Sequence, residues 1–299
     1  MTIKASQVKE LREKTGVGMM ECKKALVENG GDLEKAILWL RERGMSRAAK
    51  KAGRVAAEGI CSVLVNAERT AGVILEVNCE TDFSAKNADF QSFVNIATQV
   101  ALENEVQSIE QLAETKMEDS TVGQKLTDLI AKVGENMNIR RVSVLKAEAN
   151  GLISGYSHMG GKIGTLVRLN GASNEEVATL GQDVAMHVAA AAPRYLNRDS
   201  VDASELAQEQ ELAKKKLIEE GKPEDIIEKI MVGQINKFYS EVCLVDQPFV
   251  KEPKLSVSKH IQQSKLGVEL TGFVRYQLGE GIEKKSENFA EEVAAQLNK

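Results

Sequence analysis

The sequence predicts a helix-rich α+β protein, and three observations predict it. Ala, Glu, Lys and Leu are frequent while aromatic residues make up 4% of the chain, a balance that favours helix. Short runs rich in branched residues, bounded by Gly, Asn and Asp, interrupt the helical patterns and mark strands. The order hairpin, helix, insertion, strand occurs twice. Gly164-Thr165-Leu166-Val167-Arg168-Leu169-Asn170 echoes Gly72-Val73-Ile74-Leu75-Glu76-Val77-Asn78 in its Gly, its apolar pattern and its Asn. Val184-Ala185-Met186-His187-Val188-Ala189-Ala190 echoes Ile96-Ala97-Thr98-Gln99-Val100-Ala101-Leu102. The core is therefore expected to be two related subdomains, each an antiparallel sheet with a helix.

Taken in order, the chain opens with three short helices. Ser6 is expected to cap the first, with Val8 and Leu11 on one face and Gly16 ending it. The second runs from about Met19 to Glu28 and stops at Gly30-Gly31. Asp32 caps the third, where Leu33, Ala36, Ile37 and Leu40 recur at helical spacing. Residues 1–44 thus form a three-helix bundle. Residues 45–57 carry Arg47, Lys50, Lys51 and Arg54 and read as a basic, solvated, partly helical linker. Met19 and Met20 are neighbours on one helix, about 100° apart, so a small core cannot readily take both. Either one is core and the other a bystander, or both serve an adaptable surface.

Residues 58–150 make the first core subdomain. Strands at Ile60–Asn66 and Gly72–Asn78 form a hairpin, and a helix from about Ala88 buries Phe90, Phe93, Val94, Ala97, Val100 and Ala101. Helical stretches at Ile109–Glu114 and Val122–Gly134 follow, then a strand at Ile139–Ala147. Residues 151–200 and 262–281 make the second subdomain, whose closing strand, Val268–Leu278, arrives late. The delay is an insertion, residues 201–261, read as an antiparallel helical hairpin. Leu206, Leu212 and Leu217 give one apolar seam, and Ile226, Ile227, Ile230, Val232 and Ile235 the other. Such an arm binds a partner or dimerises. A last helix, Glu287–Leu297, ends a C-terminal module at 282–299.

Bulk properties exclude several functions. The 299 residues are 42% hydrophobic and 28% charged, a soluble globular composition sized for two or three domains. The net charge of −5 argues against a chain that binds nucleic acid through its phosphates. Cys22, Cys61, Cys79 and Cys243 are scattered and show no C-x-x-C, so neither a disulfide framework nor a metal site is expected. No apolar run reaches membrane-spanning length and Met1-Thr2-Ile3-Lys4-Ala5 opens directly into a helical pattern, which points to a cytoplasmic protein. His158, His187 and His260 offer few catalytic triads. His187 lies in an apolar helix and is expected to be a satisfied core residue, and His260 is expected to be solvated. The Gly-rich turn after His158 joins two strands rather than opening a helix, so it is no phosphate cradle. No cofactor follows from any of these patterns.

The informative stretch is Glu76-Val77-Asn78-Cys79-Glu80-Thr81-Asp82-Phe83-Ser84-Ala85-Lys86. A strand ends in a polar cluster, and Phe83 sits in the loop before the next helix. A ring there is local core or an anchor for a partner's pocket, and composition by itself favours local core. The stretch resembles the signature of the bacterial elongation factor Ts family. Val8-Lys9-Glu10-Leu11-Arg12-Glu13-Lys14-Thr15-Gly16-Val17-Gly18-Met19-Met20-Glu21-Cys22-Lys23-Lys24-Ala25-Leu26 is similar to that family's N-terminal module, and Gly272-Phe273-Val274-Arg275-Tyr276-Gln277-Leu278-Gly279-Glu280-Gly281-Ile282-Glu283 to its C-terminal part. The resemblance implies a ubiquitin-associated-type fold for the N-terminal bundle. It implies guanine nucleotide exchange on the GTPase elongation factor Tu, with Mg²⁺ displaced as Phe83 enters the partner. Thr81, Asp82, Phe83 and Ser84 are the implied exchange loop. Met19, Met20 and His158 are implied further contacts. The family usually has Val where this chain has Ser84, which implies less apolar surface after the ring. Pairing of two such complexes through the core or the hairpin stays open. The rival is a binding module, chaperone-like or RNA-associated, that uses the bundle and the basic linker.

Overall fold

The structure is a computed structural model and describes residues 3–148 and 150–283. The expected helix Glu287–Leu297 lies outside the described residues. Mixed helix and antiparallel sheet make the chain α+β, as its patterns predict.

Helices α1 (Ala5–Thr15), α2 (Met19–Glu28) and α3 (Leu33–Lys51) pack around Val8, Leu11, Cys22, Ala25, Leu26, Ala36 and Leu40. Helix α1 starts two residues earlier than a cap at Ser6 predicts, with Lys4 in the cap position. Gln7 Oε1 accepts the Lys4 N–H at 3.0 Å, and this local bond puts Ser6 inside the first turn. Asp32 caps α3 through the Lys35 N–H at 3.0 Å, as expected. Helix α3 then continues through Met45–Lys51, because that stretch holds good helix formers and meets no Gly until Gly53.

Two three-stranded antiparallel sheets follow. The first is β1 (Glu58–Val65), β2 (Ala71–Cys79) and, after the helices α4 (Asp82–Ala85), α5 (Ala88–Glu103), α6 (Ile109–Glu114), the small strands β3 (Lys116–Met117) and β4 (Ser120–Thr121), and α7 (Val122–Val133), strand β5 (Met137–Lys146). The second has β6 (Leu152–His158) and β7 (Ile163–Asn170), followed by α8 (Glu175–Ala191). An insertion of α9 (Ala203–Glu219), α10 (Glu224–Val242), β8 (Pro248–Phe249), β9 (Glu252–Ser256) and α11 (Val257–Gln263) precedes its last strand, β10 (Glu269–Gln277). Strand order is β1-β2-β5 in one sheet and β6-β7-β10 in the other, with the central strand of each from the repeated heptapeptide.

All of β2 is buried, because it is covered on both faces. Val73, Leu75 and Val77 meet Phe90, Phe93, Val94 and Ala97 of α5. Ile74, on the other face, meets Ile153 and Leu166 of the second sheet. Strand β7 behaves likewise, with Val167 and Leu169 under α8. The layers therefore run helix, sheet, sheet, helix. The repeated glycines let the sheets approach. A Cβ at Gly72 would stand 2.9 Å from Leu166 Cδ2, and one at Gly164 would stand 2.8 Å from Ile74 Cδ1. Ile74 and Leu166 are themselves equivalent positions. Each copy's glycine thus receives the other's branched side chain, the reciprocal contact of a pseudo-two-fold.

An ionic cluster fastens one end of this interface. Glu76 is fully buried, and burial opposes its charge. The Gly279 N–H at 2.9 Å, Arg141 Nε at 2.6 Å and Arg140 Nη1 at 3.1 Å outweigh that and hold its carboxyl below the usual range. Strands β2 and β5 and the turn after β10 are thereby joined.

In the α9–α10 hairpin, Leu217 and Ile227 are buried, but Leu212 and Val232 are 64% exposed. These two drop out of the expected seams. Residues after Val242 do not extend the hairpin. Leu244, Phe249, Val257 and Ile261 fold back onto the core under α8, because the stretch from Leu244 to Phe249 holds no helical pattern and offers apolar groups to that face.

Candidate functional site

The junction between β2 and α5 carries the exchange-loop candidates. Strand β2 ends at Cys79, and Thr81 then caps a one-turn helix, α4, by accepting the Ser84 N–H at 3.2 Å. The turn points Phe83 outward: its side chain is 81% exposed. Composition favours a packed ring at this position, and the structure overturns that. Leu75, Phe90 and Ala85 already fill the space beneath, and the cap directs Ser84 and Ala85 inward instead. Ser84 is buried. A smaller residue there consequently removes nothing from the exposed face, contrary to the expectation from its substitution for Val.

Asp82 opens α4, where the helix N-terminus favours an acid. Its carboxylate pairs with Lys86 Nζ at 2.7 Å, which lowers its pKa. The Lys86 ammonium also lies 6.0 Å from the Phe83 ring.

A second loop comes alongside. Residues between β6 and β7 turn through Met159, Gly160 and Gly161, with Gly161 at φ 91 and its carbonyl accepting the Cys61 N–H of β1 at 2.8 Å. Only glycine suits that position, since a Cβ would also meet Ile60. Lys162 Nζ bonds Glu58 at 2.7 Å and pins the loop to the same strand. The result is an open concavity of about 820 Å³ lined by Phe83, Asp82, Lys86, Glu58, Met159 and Lys162. Met159 is 73% exposed. His158 is exposed at the end of β6, where its Nδ1 and the Tyr156 hydroxyl are 2.9 Å apart.

Met19 and Met20 sit apart from this concavity, at the start of α2. Both are exposed, Met20 at 75%, so the alternative of one core methionine and one bystander is not what the bundle adopts. The remaining histidines are structural. His187 is buried, accepts the Val250 N–H at Nδ1 (3.1 Å) and therefore donates from Nε2 to Gln247 Oε1 (3.0 Å). Burial lowers its pKa. His260 is half-buried, its ring 4.3 Å from that of Phe249, because the fold-back of residues 244–261 covers it rather than leaving it solvated. Burial pushes the Cys61 and Cys79 thiols up to about 12, out of the nucleophilic range. Among the described residues, no three His, Cys, Asp or Glu side chains are grouped to hold a metal ion, and no helix is long and apolar enough to cross a membrane.

Sequence patterns pass over four residues that matter here. Glu135 and Asn136, in the turn before β5, and Arg54, beyond α3, bond directly to the Glu80-Thr81 backbone or side chains. They lie far away in sequence; nothing local marks Glu135 or Asn136, and Arg54 is marked only as part of a basic, solvated stretch. Met159 had a weak signal: a large apolar residue in a Gly-rich turn.

Fold and site together define a class: an α+β protein that presents an exposed aromatic ring to solvent on a braced loop. A family model described as Elongation factor TS matches residues 80–280. Proteins called Elongation factor Ts are similar over the full length: 46% identity in Halothermothrix orenii, covering 100% of both chains, and 50% in Magnetococcus marinus, covering 98% of both. One from Clostridium botulinum is 49% identical over 99% of both chains. The chain belongs to the elongation factor Ts family.

Proposed function

We propose that this protein is the guanine nucleotide exchange factor for elongation factor Tu, and that Phe83 is the residue that opens the GTPase. The observation that carries the second part is the exposed ring on a capped, braced turn. A ring left in water at such a rigid position gains its free energy when a partner buries it.

The mechanism follows from linkage. A factor that favours the nucleotide-free GTPase must weaken nucleotide binding by the factor by which nucleotide weakens its own. GTPases of this class hold Mg²⁺ and phosphates through a loop, a Ser/Thr and an acid. Phe83, entering an apolar pocket, displaces the elements that support that coordination. Mg²⁺ leaves and GDP follows. Burying a Phe side chain contributes roughly 1.5–3 kcal/mol, about one to two decades of coupling at about 1.4 kcal/mol per decade. Asp82 and Lys86 give the ring a polar rim, and Thr81 and Ser84 shape the turn rather than touch the partner.

The other contacts supply docking. Residues 1–44, as a ubiquitin-associated-type bundle, offer Met19 and Met20. The loop at His158 faces the same partner from the second subdomain. Exchange takes place in the cytoplasm, without direct contact to nucleic acid.

The test is release of a fluorescent GDP from purified elongation factor Tu. The full chain should accelerate release, and Phe83→Ala should lose most of that acceleration. Failure of the unaltered chain to accelerate release from an active partner would remove the exchange reading.

A further inference from the structure

The turn Gly134-Glu135-Asn136, between α7 and β5, holds the Phe83 loop from behind. The Glu135 carboxylate accepts two bonds from Thr81: the backbone N–H at 3.1 Å and the hydroxyl at 2.9 Å. Because that hydroxyl spends its proton on Glu135, its lone pairs face the Ser84 N–H and cap α4. Glu80 returns the arrangement. Its Oε1 accepts the Asn136 N–H at 2.5 Å and lies 3.5 Å from Arg54 Nη1. Each segment's carboxylate therefore grips the other's backbone, and the pair of bonds fixes rotation as well as distance.

The same turn also holds the end of α3. Asn136, itself buried, donates from Nδ2 to the Arg54 carbonyl at 2.7 Å, and Lys51 Nζ bonds the Gly134 carbonyl. Lys51 and Arg54 belong to the basic stretch that reads as a linker. In the fold they are brackets. They tie the helix leading out of the bundle to the turn that sets Phe83.

We propose that Glu135 and Asn136 are positioning residues for exchange: they touch no nucleotide, but fix the direction of Phe83 and register it against the bundle that carries Met19 and Met20. This rests on the reading of Phe83 as the opening residue. A loose loop would still dock through the other contacts, yet reach the pocket with its ring misdirected, so the defect falls on the maximal rate.

The experiment measures GDP release from elongation factor Tu over a range of concentrations of the full chain, for Glu135→Ala, Thr81→Val and Phe83→Ala, and for Glu135→Ala combined with Phe83→Ala. Positioning predicts that Glu135→Ala lowers the saturating rate about tenfold, with the half-saturating concentration within about threefold of the original. Glu135→Gln, which keeps an acceptor for the Thr81 N–H, should recover most of the rate. In the Phe83→Ala background the Glu135 change should add nothing, because the residue it positions is gone. Hydrogen exchange at the Ser84 amide of the free protein should quicken in Glu135→Ala and in Thr81→Val. An unchanged saturating rate, or an equal loss in both backgrounds, overturns the proposal. So does unchanged exchange at Ser84. If Glu135→Ala does not fold, Thr81→Val carries the same readings. Normal release by Phe83→Ala would remove the anchor reading instead, and the Ser84 amide would still decide whether the turn is clamped.

Discussion

The two copies of the core share a strand order and a glycine, and two of their differences set what each presents. At the strand-to-helix junction, the first copy runs through residues 80–87 and forms α4 with Phe83 outside. The second runs through residues 171–174, and its apolar residue, Ala172, packs on the core. On the helix itself, Gln99 of α5 is exposed and bonds Glu103 at 2.8 Å. Its equivalent in α8, His187, is buried beneath Phe249 and Gln247. The same scaffold therefore presents a residue from one copy and roots an insertion on the other. Sheet packing tolerates this because the shared face, around Ile74 and Leu166, lies opposite to both changes.

The largest effect should come from erasing the first difference. Phe83→Ala makes that junction as blunt as its counterpart, and acceleration of GDP release should fall about ten- to a hundredfold. Thermal unfolding should hardly move, since the ring is in water. Stopped-flow release and a melting curve together check this.

Next, the shared face can be stressed from either side. Gly72→Val and Gly164→Val each push a side chain into the other copy's branched residues, at a cost of about 1–3 kcal/mol. Near-equal losses in denaturant midpoint are expected. A large asymmetry would break the pseudo-two-fold account.

A smaller effect should separate the copies by pH. His187 has a folded pKa below its ordinary value, here 6.5. The unfolded chain then binds more protons between the lowered folded value and about 6.5, so stability is full above about 6.5 and declines as pH falls through that window. Glu76, also depressed, contributes fully above its unfolded value of about 4.3 and is lost as pH falls through its lower folded value. Acidification should accordingly loosen the second copy first. Denaturant midpoints from pH 7.5 to 5 should slope, and His187→Gln, the residue of the first copy, should flatten that slope.

Least of all should follow from Ser84→Val. The buried position receives a larger side chain while the Thr81 cap on its N–H persists. Exchange should stay within about twofold and stability within about 1.5 kcal/mol, as measured by the same release assay and melts.

Much of this was legible beforehand because it is local. Branched residues in Gly72–Asn78 make a strand wherever they are placed, Asp32 caps whatever helix follows it, and the recurrence of Gly, apolar pattern and Asn exposes the repeat. The stretch around Phe83 likewise names a family from its residues alone. What the chain could not disclose is which way those residues face. Phe83 is outside and Ser84 inside because one hydroxyl, Thr81's, caps a turn, and Glu135, more than fifty residues on, holds that hydroxyl. His260 is covered because residues 244–261 fold back under α8. Both outcomes depend on contacts between segments far apart in the chain. Periodicity records the surroundings of a residue along its own element, whereas exposure is decided by what else arrives on that face.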